Sequence, residues 1–115
     1  MREFDHIGLP TTEKHPDEMF VESTRVWVTN PANSPQMVEY LRYEPDSPVT
    51  GPLRTLPHIA FRVDNLEKEI EGAEVILGPF NPTPDLRVVF VHKDGVVWEF
   101  MESKVGKDWH KGGQS

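Results

Sequence analysis

The 115-residue sequence contains no cysteine. This excludes a disulfide framework and a thiolate metal site, so any metal ion would need imidazole and carboxylate ligands. Basic residues are also few, with 12 Lys and Arg against 19 Asp and Glu, and the net charge is −7. Such a charge argues against a nucleic-acid partner, because phosphates require a basic surface. Neither a glycine-rich phosphate loop nor a G-x-S-x-G nucleophile motif occurs.

Long apolar segments are absent as well. The sequence has no uninterrupted run of about 18 apolar residues, so we expect no membrane span and no membrane partner. The opening residues Met1-Arg2-Glu3 do not resemble a signal peptide, and we expect a cytoplasmic protein. The length predicts a single domain with a small core. The 11 prolines, most of them between apolar runs, favour short strands over long helices.

The apolar pattern predicts a chain of two related halves. The first, module one (about residues 1–48), should contain strands at Arg2–Leu9, Phe20–Thr29 and Gln36–Glu44. Its polar segment Thr11–Glu18 should form at most a turn or two of helix. A proline-rich connector follows over residues 49–57.

Module two, residues 58–103, is predicted to form a strand, a helix and three further strands. The strands are His58–Val63, Glu74–Leu77, Leu86–His92 and Val96–Glu102. Asp64 and Glu67 form a capping-box pattern at the start of the helix, and Gly72 provides its stop. Asp94-Gly95 predicts a two-residue hairpin turn. The tail, residues 104–115, is polar and should fray, with Trp109 as the residue able to dock.

His6 and His58 lie at the same place in two similar strands, and each half also carries a glutamate in a later strand, Glu39 and Glu99. Because side chains alternate along a strand, all four can lie on one concave face. A histidine and a carboxylate from each half would suit a divalent cation. Glu44 competes with Glu39, although strand parity makes it the weaker candidate. The alternative is an ordinary sheet with hydrogen-bonded histidines and exposed glutamates.

The same face carries candidates for contact with a substrate. The predicted hairpin sets Phe90 opposite Glu99, with His92 further along the same side. Arg62 shares this side in the first strand of module two, where it could hold a substrate anion or form a surface salt bridge. We therefore predict Arg62, Phe90 and His92 as substrate-binding residues.

Three segments, FDHIGLP, PHIAFRVDNLEKEI and VHKDGVVWEFME, resemble the vicinal oxygen chelate superfamily, which has the glyoxalase, bleomycin-resistance and extradiol-dioxygenase fold. The resemblance implies an α+β fold in which two paired βαβββ modules form a curved mixed sheet around a concave pocket. The helix of the first module would be reduced or lost. It also implies one metal ligand from the first strand and one from the last strand of each module, which correspond to His6, Glu39, His58 and Glu99.

The resemblance and the ligand set predict a metal-dependent lyase, isomerase or epimerase that acts on a small oxygenated metabolite through an enediolate. Glu99 or Glu39 would be the catalytic base. The cation would be zinc, nickel, cobalt, iron or manganese. Two alternatives remain open. One is a metal-free binding protein of the bleomycin-resistance type, and the other is an iron-dependent extradiol-type dioxygenase, which needs only two histidines and one carboxylate.

The lost helix also predicts a homodimer. Val26, Val28, Val38 and Tyr40 lie in strands whose outer face has no helix to cover it, and the polar segment Thr11–Glu18 offers no apolar stripe. An exposed apolar patch usually marks a contact surface, and closed two-fold dimers are the commonest assembly. In a monomer, we would expect the connector or the tail to cover this patch.

Overall fold

The computed structural model describes residues 2–106 and Trp109, and these form one curved, mixed eight-stranded sheet with few and short helices. The elements are β1 (Arg2–Pro10), β2 (Met19–Val21), β3 (Val26–Val28), β4 (Val38–Tyr43), α1 (Pro52–Thr55), β5 (His58–Val63), α2 (Leu66–Glu69), β6 (Glu74–Thr83), β7 (Leu86–Lys93) and β8 (Val96–Ser103). A 3₁₀ turn spans Pro31–Asn33. None of the helices in the described residues could span a membrane.

The two modules meet at the centre of the sheet. The strand order is β2-β3-β4-β1-β5-β8-β7-β6. In each module the first strand runs parallel to the last, β1 beside β4 and β5 beside β8, while β1 and β5 pair antiparallel. The first and last strands of both modules therefore form the middle of the sheet, which is the paired-module α+β arrangement that we predicted.

The predicted strand over Phe20–Thr29 is wrong, because this segment forms a hairpin of two short strands, β2 and β3. The chain reverses over residues 22–25, where Arg25 adopts a φ of 50°. The polar run Glu22-Ser23-Thr24 interrupts the alternating pattern and supplies the turn. With this extra strand module one contains four strands, as module two does, so the repeat is closer than the sequence indicates.

In module two the outer, convex face of the sheet packs against the one-turn helix α2. The cluster consists of Val63, Leu66, Val89, Val91 and Phe100. The predicted helix cap is wrong by one residue. Asn65, not Asp64, is the N-cap, and its side chain accepts a hydrogen bond from the backbone N–H of Lys68. The helix starts one residue later than predicted, and this position buries Leu66 completely.

In module one the described residues form no helix between the first two strands, as predicted, and a thin polar layer covers part of the outer face. The His15 ring stacks on Tyr40 with 4.4 Å between ring centroids. The Glu18 carboxylate accepts two hydrogen bonds from Arg42, of 2.7 and 2.9 Å. The Arg42 guanidinium in turn lies over the Trp27 ring. Polar and cation–π contacts thus take the place of an apolar helix stripe.

The inner, concave face holds the largest core cluster, and the connector packs into it. Strand and connector residues form this cluster together with Trp109: Val49, Leu53, Ala60, Leu86, Val88, Phe90, Val97, Met101 and Trp109. Val26 and Val28 face this side too, because they pair with Tyr43 and Leu41. Their predicted place on the outer face is therefore wrong. The connector and Trp109 pack on the inner face, so they do not cover the outer face in the way we expected for a monomer.

Trp109 is the one residue of the tail beyond Gly106 that the structure describes. Its side chain is 2% exposed, which confirms that it docks. The fraying predicted from residue 104 does not begin there, because the backbone N–H of Lys104 donates a hydrogen bond of 2.9 Å to the backbone oxygen of Asp85 and Ser103 Oγ donates one of 2.8 Å to the backbone oxygen of Gly106. Residues 107, 108 and 110–115, for which fraying is also predicted, lie outside the described residues.

Candidate metal centre

Four titratable side chains meet on the concave face, one from each central strand. His6 belongs to β1, Glu39 to β4, His58 to β5 and Glu99 to β8. Each of them is at most 1% exposed. The structure therefore brings together all four residues that strand parity placed on one face.

The register puts a small residue beside these side chains. Gly8 of β1 lies between Glu39 and His58 on the neighbouring strands. A Cβ atom added at Gly8 would lie 2.0 Å from Cε1 of His58, so the imidazole fills the space of the missing side chain. Ala60 has the equivalent position in module two, between the other histidine and the other glutamate. Both modules thus place a small residue two positions after the histidine.

The distances within the cluster fit a single ion. Glu99 Oε1 lies 3.2 Å from Nε2 of both histidines. Glu39 Oε1 lies 3.5 Å from Nε2 of His6 and 4.0 Å from Nε2 of His58. Two ligands that each lie about 2.1 Å from a metal ion are about 3.0 Å apart at a right angle, about 3.4 Å at the tetrahedral angle and about 4.2 Å when opposite. The observed separations fall within this range.

The hydrogen bonding of these atoms also fits a cation. Nε2 of His6, Nε2 of His58 and both carboxylate oxygens of Glu99 are buried and make no hydrogen bond to the described residues. Their contacts have ion-pair distances without hydrogen-bond geometry. A buried polar group without a hydrogen-bond partner lowers the stability of the fold by about 1–3 kcal/mol. A buried carboxylate is ordinarily paired with a cationic group or bound to a cation. Two imidazoles and two carboxylates are suited to a divalent transition ion.

For both His6 and Glu99, burial and the neighbouring charges have opposite effects on the pKa. Burial disfavours the charged form of the His6 imidazole. The neighbouring carboxylates of Glu39, Asp5 and Glu99 outweigh burial and raise the pKa of this imidazole well above its ordinary value. Burial also disfavours the charged form of Glu99, but the imidazoles of His58 and His6 outweigh it and lower the pKa of Glu99 to about 2. Without metal, the centre is a buried ion-pair cluster.

A narrow apolar cavity opens beside the centre. Glu39 and Phe90 form part of its wall, together with Tyr43 and with Leu53 of the connector helix. Its free volume is about 30 Å³, which is room for about two water molecules. Among the described residues, no lysine or arginine lines it. The cavity therefore suits a small and uncharged group next to Glu39.

Of the two glutamates considered for module one, the structure places Glu39 at the centre. Glu44 lies on the outer face, where its Oε2 accepts a hydrogen bond of 3.0 Å from Nε1 of Trp27. Strand alternation explains the difference, because the two glutamates are five positions apart in the chain and so face opposite sides.

The three predicted substrate-binding residues have different surroundings. Phe90 lines the cavity, and its ring lies edge-on to His58 with 5.2 Å between ring centroids. Arg62 Nη1 instead donates a hydrogen bond of 2.6 Å to Asp5. His92 lies at the partly exposed end of the hairpin, with Nδ1 3.8 Å from Oε1 of Glu74. The structure brings Phe90 to the cavity but not Arg62 or His92.

Three residues at the site were missed in the sequence. Tyr43 lies four positions after Glu39 in the same strand, so strand alternation could have placed both on the inner face. Asp5 should face away from His6 by simple alternation, and only a β-bulge brings both to the inner face. Nothing in the sequence indicated where Trp109 docks.

Burial and nearby carboxylates raise the pKa of Tyr43, so its phenol stays protonated at neutral pH.

No protein-family model and no curated protein sequence matches the chain. Among solved structures, a hypothetical protein from Bacillus halodurans C-125 matches with a TM-score of 0.60 and 23% identity, over 90% of this chain and 95% of that one. Methylmalonyl-CoA epimerase from Mycobacterium tuberculosis matches with a TM-score of 0.57 and 15% identity, over 87% of each chain. At these identities the likeness is one of fold. It supports the predicted fold of two paired modules around a curved mixed sheet.

Proposed function

We propose that the protein is a metal-dependent lyase or isomerase that moves a proton on a small oxygenated substrate. The observation that carries the proposal is the cluster of His6, Glu39, His58 and Glu99. Its spacing fits one cation, and Nε2 of both histidines and both carboxylate oxygens of Glu99 make no hydrogen bond to the described residues. The epimerase among the structural neighbours favours proton transfer as the class of reaction.

We assign four residues to holding the ion: His6, Glu39, His58 and Glu99. Glu99 faces both imidazoles at 3.2 Å, and its lowered pKa keeps it ionised as a ligand. A divalent cation in this place would supply a Lewis acid that polarises a carbonyl group and stabilises negative charge on oxygen.

Glu39 is the residue we assign to proton transfer. It lines the cavity next to the centre, and a general base must lie within hydrogen-bond reach of the proton it removes. It would take a proton from a carbon next to a carbonyl group and return it to that carbon or to the adjacent one. Glu99 is a weaker candidate for the base, because its pKa is lowered to about 2.

The cavity limits the substrate. Its walls are apolar and, among the described residues, free of cationic side chains, so the part of the substrate that enters is small and uncharged. Phe90 would pack against this part. The Tyr43 hydroxyl, which donates a long hydrogen bond of 3.4 Å to the backbone oxygen of Leu53, would be available to reorient toward a substrate oxygen.

The test is exchange of carbon-bound hydrogen in D₂O, followed by NMR. Chelator-treated protein is loaded with Zn²⁺, Ni²⁺, Co²⁺, Fe²⁺ or Mn²⁺ and incubated with a panel of small α-hydroxy ketones and aldehydes. We expect metal-dependent deuterium incorporation next to the carbonyl group. Glu39→Gln should lower the rate by about 10²- to 10⁴-fold, the usual contribution of a general base. Glu44→Gln should leave it unchanged.

The same experiment separates the alternatives. With a catechol added to the panel and Fe²⁺ as the ion, consumption of O₂ together with cleavage of the catechol ring would indicate an extradiol-type dioxygenase. Ligand binding without metal and without exchange would indicate a binding protein of the bleomycin-resistance type. Either result would overturn the proposed reaction.

A further inference from the structure

We propose that Asp5 is a positioning residue that fixes His6 for metal binding and ties Trp109 to the same site, so that metal binding and docking of Trp109 are coupled. This inference rests on the proposed metal centre. It concerns two residues, one at each end of the chain, that meet in the fold: the Asp5 carboxylate accepts a hydrogen bond of 2.9 Å from Nε1 of Trp109.

A β-bulge creates the position of Asp5. In β1, Phe4 pairs with Phe61 and His6 pairs with Ala60, so Asp5 is an extra residue between two regular pairs. A bulge sets two residues against one on the partner strand, and here both Asp5 and His6 lie on the buried side at 1% exposure or less. By simple alternation from His6, Asp5 would instead fall on the outer face.

The hydrogen bond to Asp5 fixes the state of the His6 ring. Asp5 Oδ2 lies 2.7 Å from Nδ1 of His6. An ionised carboxylate can only accept a hydrogen bond, and Arg62 lies 2.6 Å from the other oxygen. Nδ1 must therefore carry hydrogen, which directs the lone pair of a neutral imidazole to Nε2, the atom that faces Glu99 and Glu39. Such outer carboxylates orient metal-binding histidines.

Trp109 joins this arrangement from the opposite side. Its indole donates to Asp5 Oδ1, and its ring centroid lies 6.0 Å from that of His6. The ring is 2% exposed and belongs to the inner core cluster. Docking of Trp109 thus depends on the carboxylate that also holds the histidine. By reciprocity, an ion that orders His6 should also strengthen the docking.

The experiment compares the wild type with Asp5→Asn, Trp109→Phe and a control, Glu3→Gln. Glu3 also lies near Arg62, at 3.7 Å, but its side chain is 60% exposed and it does not adjoin the histidine ring. Zn²⁺ affinity is measured by calorimetry. Solvent exchange of the Trp109 indole N–H and the His6 Nδ1–H signal are measured by ¹⁵N NMR, with and without Zn²⁺.

We expect Asp5→Asn to weaken Zn²⁺ binding about ten- to hundredfold, because the asparagine amide can donate to Nδ1 and favour the wrong tautomer. The His6 Nδ1–H signal of the Zn²⁺ form should shift or vanish. Trp109→Phe should weaken binding at least about fivefold, the lower end of typical coupling between sites. In the wild type, Zn²⁺ should slow exchange of the indole N–H. Glu3→Gln should remain within about twofold of the wild type.

Two results would overturn the proposal, and they differ from failure of the metal centre itself. If the wild type binds Zn²⁺ but Trp109→Phe binds it equally well and Zn²⁺ leaves indole exchange unchanged, the coupling does not exist. If Asp5→Asn folds, retains wild-type affinity and keeps the Nδ1–H signal, Asp5 does not position His6. A wild type that binds no divalent ion would instead refute the proposed centre. Should Asp5→Asn fail to fold, the Trp109→Phe and exchange measurements still decide the coupling.

Discussion

At the scale of single residues, the position of the His58 ring in the candidate centre requires a residue without a side chain at position 8. The His58 imidazole occupies the volume that a Cβ atom would need. Because the neighbouring atoms belong to a buried ring between two strands, they have little freedom to move aside.

We therefore predict that Gly8→Ala displaces His58 and weakens binding of a divalent ion by about tenfold or more, in the range of substitutions that misplace a ligand. Overpacking should also lower the free energy of unfolding by about 1–3 kcal/mol. Calorimetric titration with Zn²⁺ measures the first effect, and thermal unfolding of the metal-free protein measures the second. Wild-type affinity in a folded Gly8→Ala protein would show that His58 is not held in this way.

Residue-level prediction from the sequence succeeded where alternation is regular. Parity along β1, β4, β5 and β8 sufficed to place His6, Glu39, His58 and Glu99 on one face and to prefer Glu39 over Glu44. It failed at Asp5, because no sequence pattern marks the extra residue of the bulge.

At the scale of elements, the connector helix α1 acts as the wall of the cavity. Leu53 is 4% exposed, packs into the inner core and lines the cavity beside Glu39. Leu56, three residues further on, is 39% exposed. The pair provides a matched test of how far the connector restricts the site.

We predict that Leu53→Ala lowers the free energy of unfolding by about 2–5 kcal/mol, as is usual for a leucine removed from a core. It should also enlarge the cavity and admit bulkier substrates. Leu56→Ala should change stability by no more than about 0.5 kcal/mol. Denaturant unfolding compares the two variants. Equal losses in both would show that Leu53 is not part of the core.

Element prediction depended on the strength of the local turn signals. Asp94-Gly95 predicted the β7–β8 hairpin, and both residues have positive φ, 55° and 76°, as a primed turn requires. The β2–β3 turn carries no such dipeptide and relies on Arg25 at positive φ, so the hairpin was predicted as one strand. The connector helix α1 is too short for an apolar period to be visible.

At the scale of the whole molecule, the charges of the centre predict how stability depends on pH. The pKa of His6 is raised above 6.5. Its contribution to the free energy of unfolding is therefore fully present below pH 6.5 and is lost as pH rises through the raised pKa. The pKa of Glu99 is lowered from 4.5 to about 2, so its contribution is present above 4.5 and is lost as pH falls toward 2.

For the metal-free protein we therefore predict that His6 and Glu99 stabilise the folded state most between about pH 4.5 and about pH 6.5. Zn²⁺ affinity should rise with pH through this range and above it, because the proton on His6 competes with the ion. Thermal unfolding and calorimetry at about pH 5, 6.5 and 8 measure both trends. An affinity that does not change with pH would contradict a site that includes His6.

The homodimer also stays a prediction. Its contact surface must differ from the one we expected, because Val26 and Val28 lie on the inner face. A row of half-buried apolar side chains crosses the outer face of the central strands through Val38, Ile7, Ile59 and Trp98. Light scattering at micromolar concentration should give twice the 13.2 kDa mass of one chain. Ile7→Glu should then shift the protein toward the monomer. A wild-type monomer would exclude the dimer.

The central claim is that one divalent ion binds between the two modules, and anomalous diffraction from crystals grown with Co²⁺ tests it most directly. We predict one strong anomalous peak on the concave face, about 2.0–2.2 Å from Nε2 of His6, Nε2 of His58 and carboxylate oxygens of Glu99 and Glu39. A map with no peak between these four side chains, or with peaks only at the protein surface, would contradict the account.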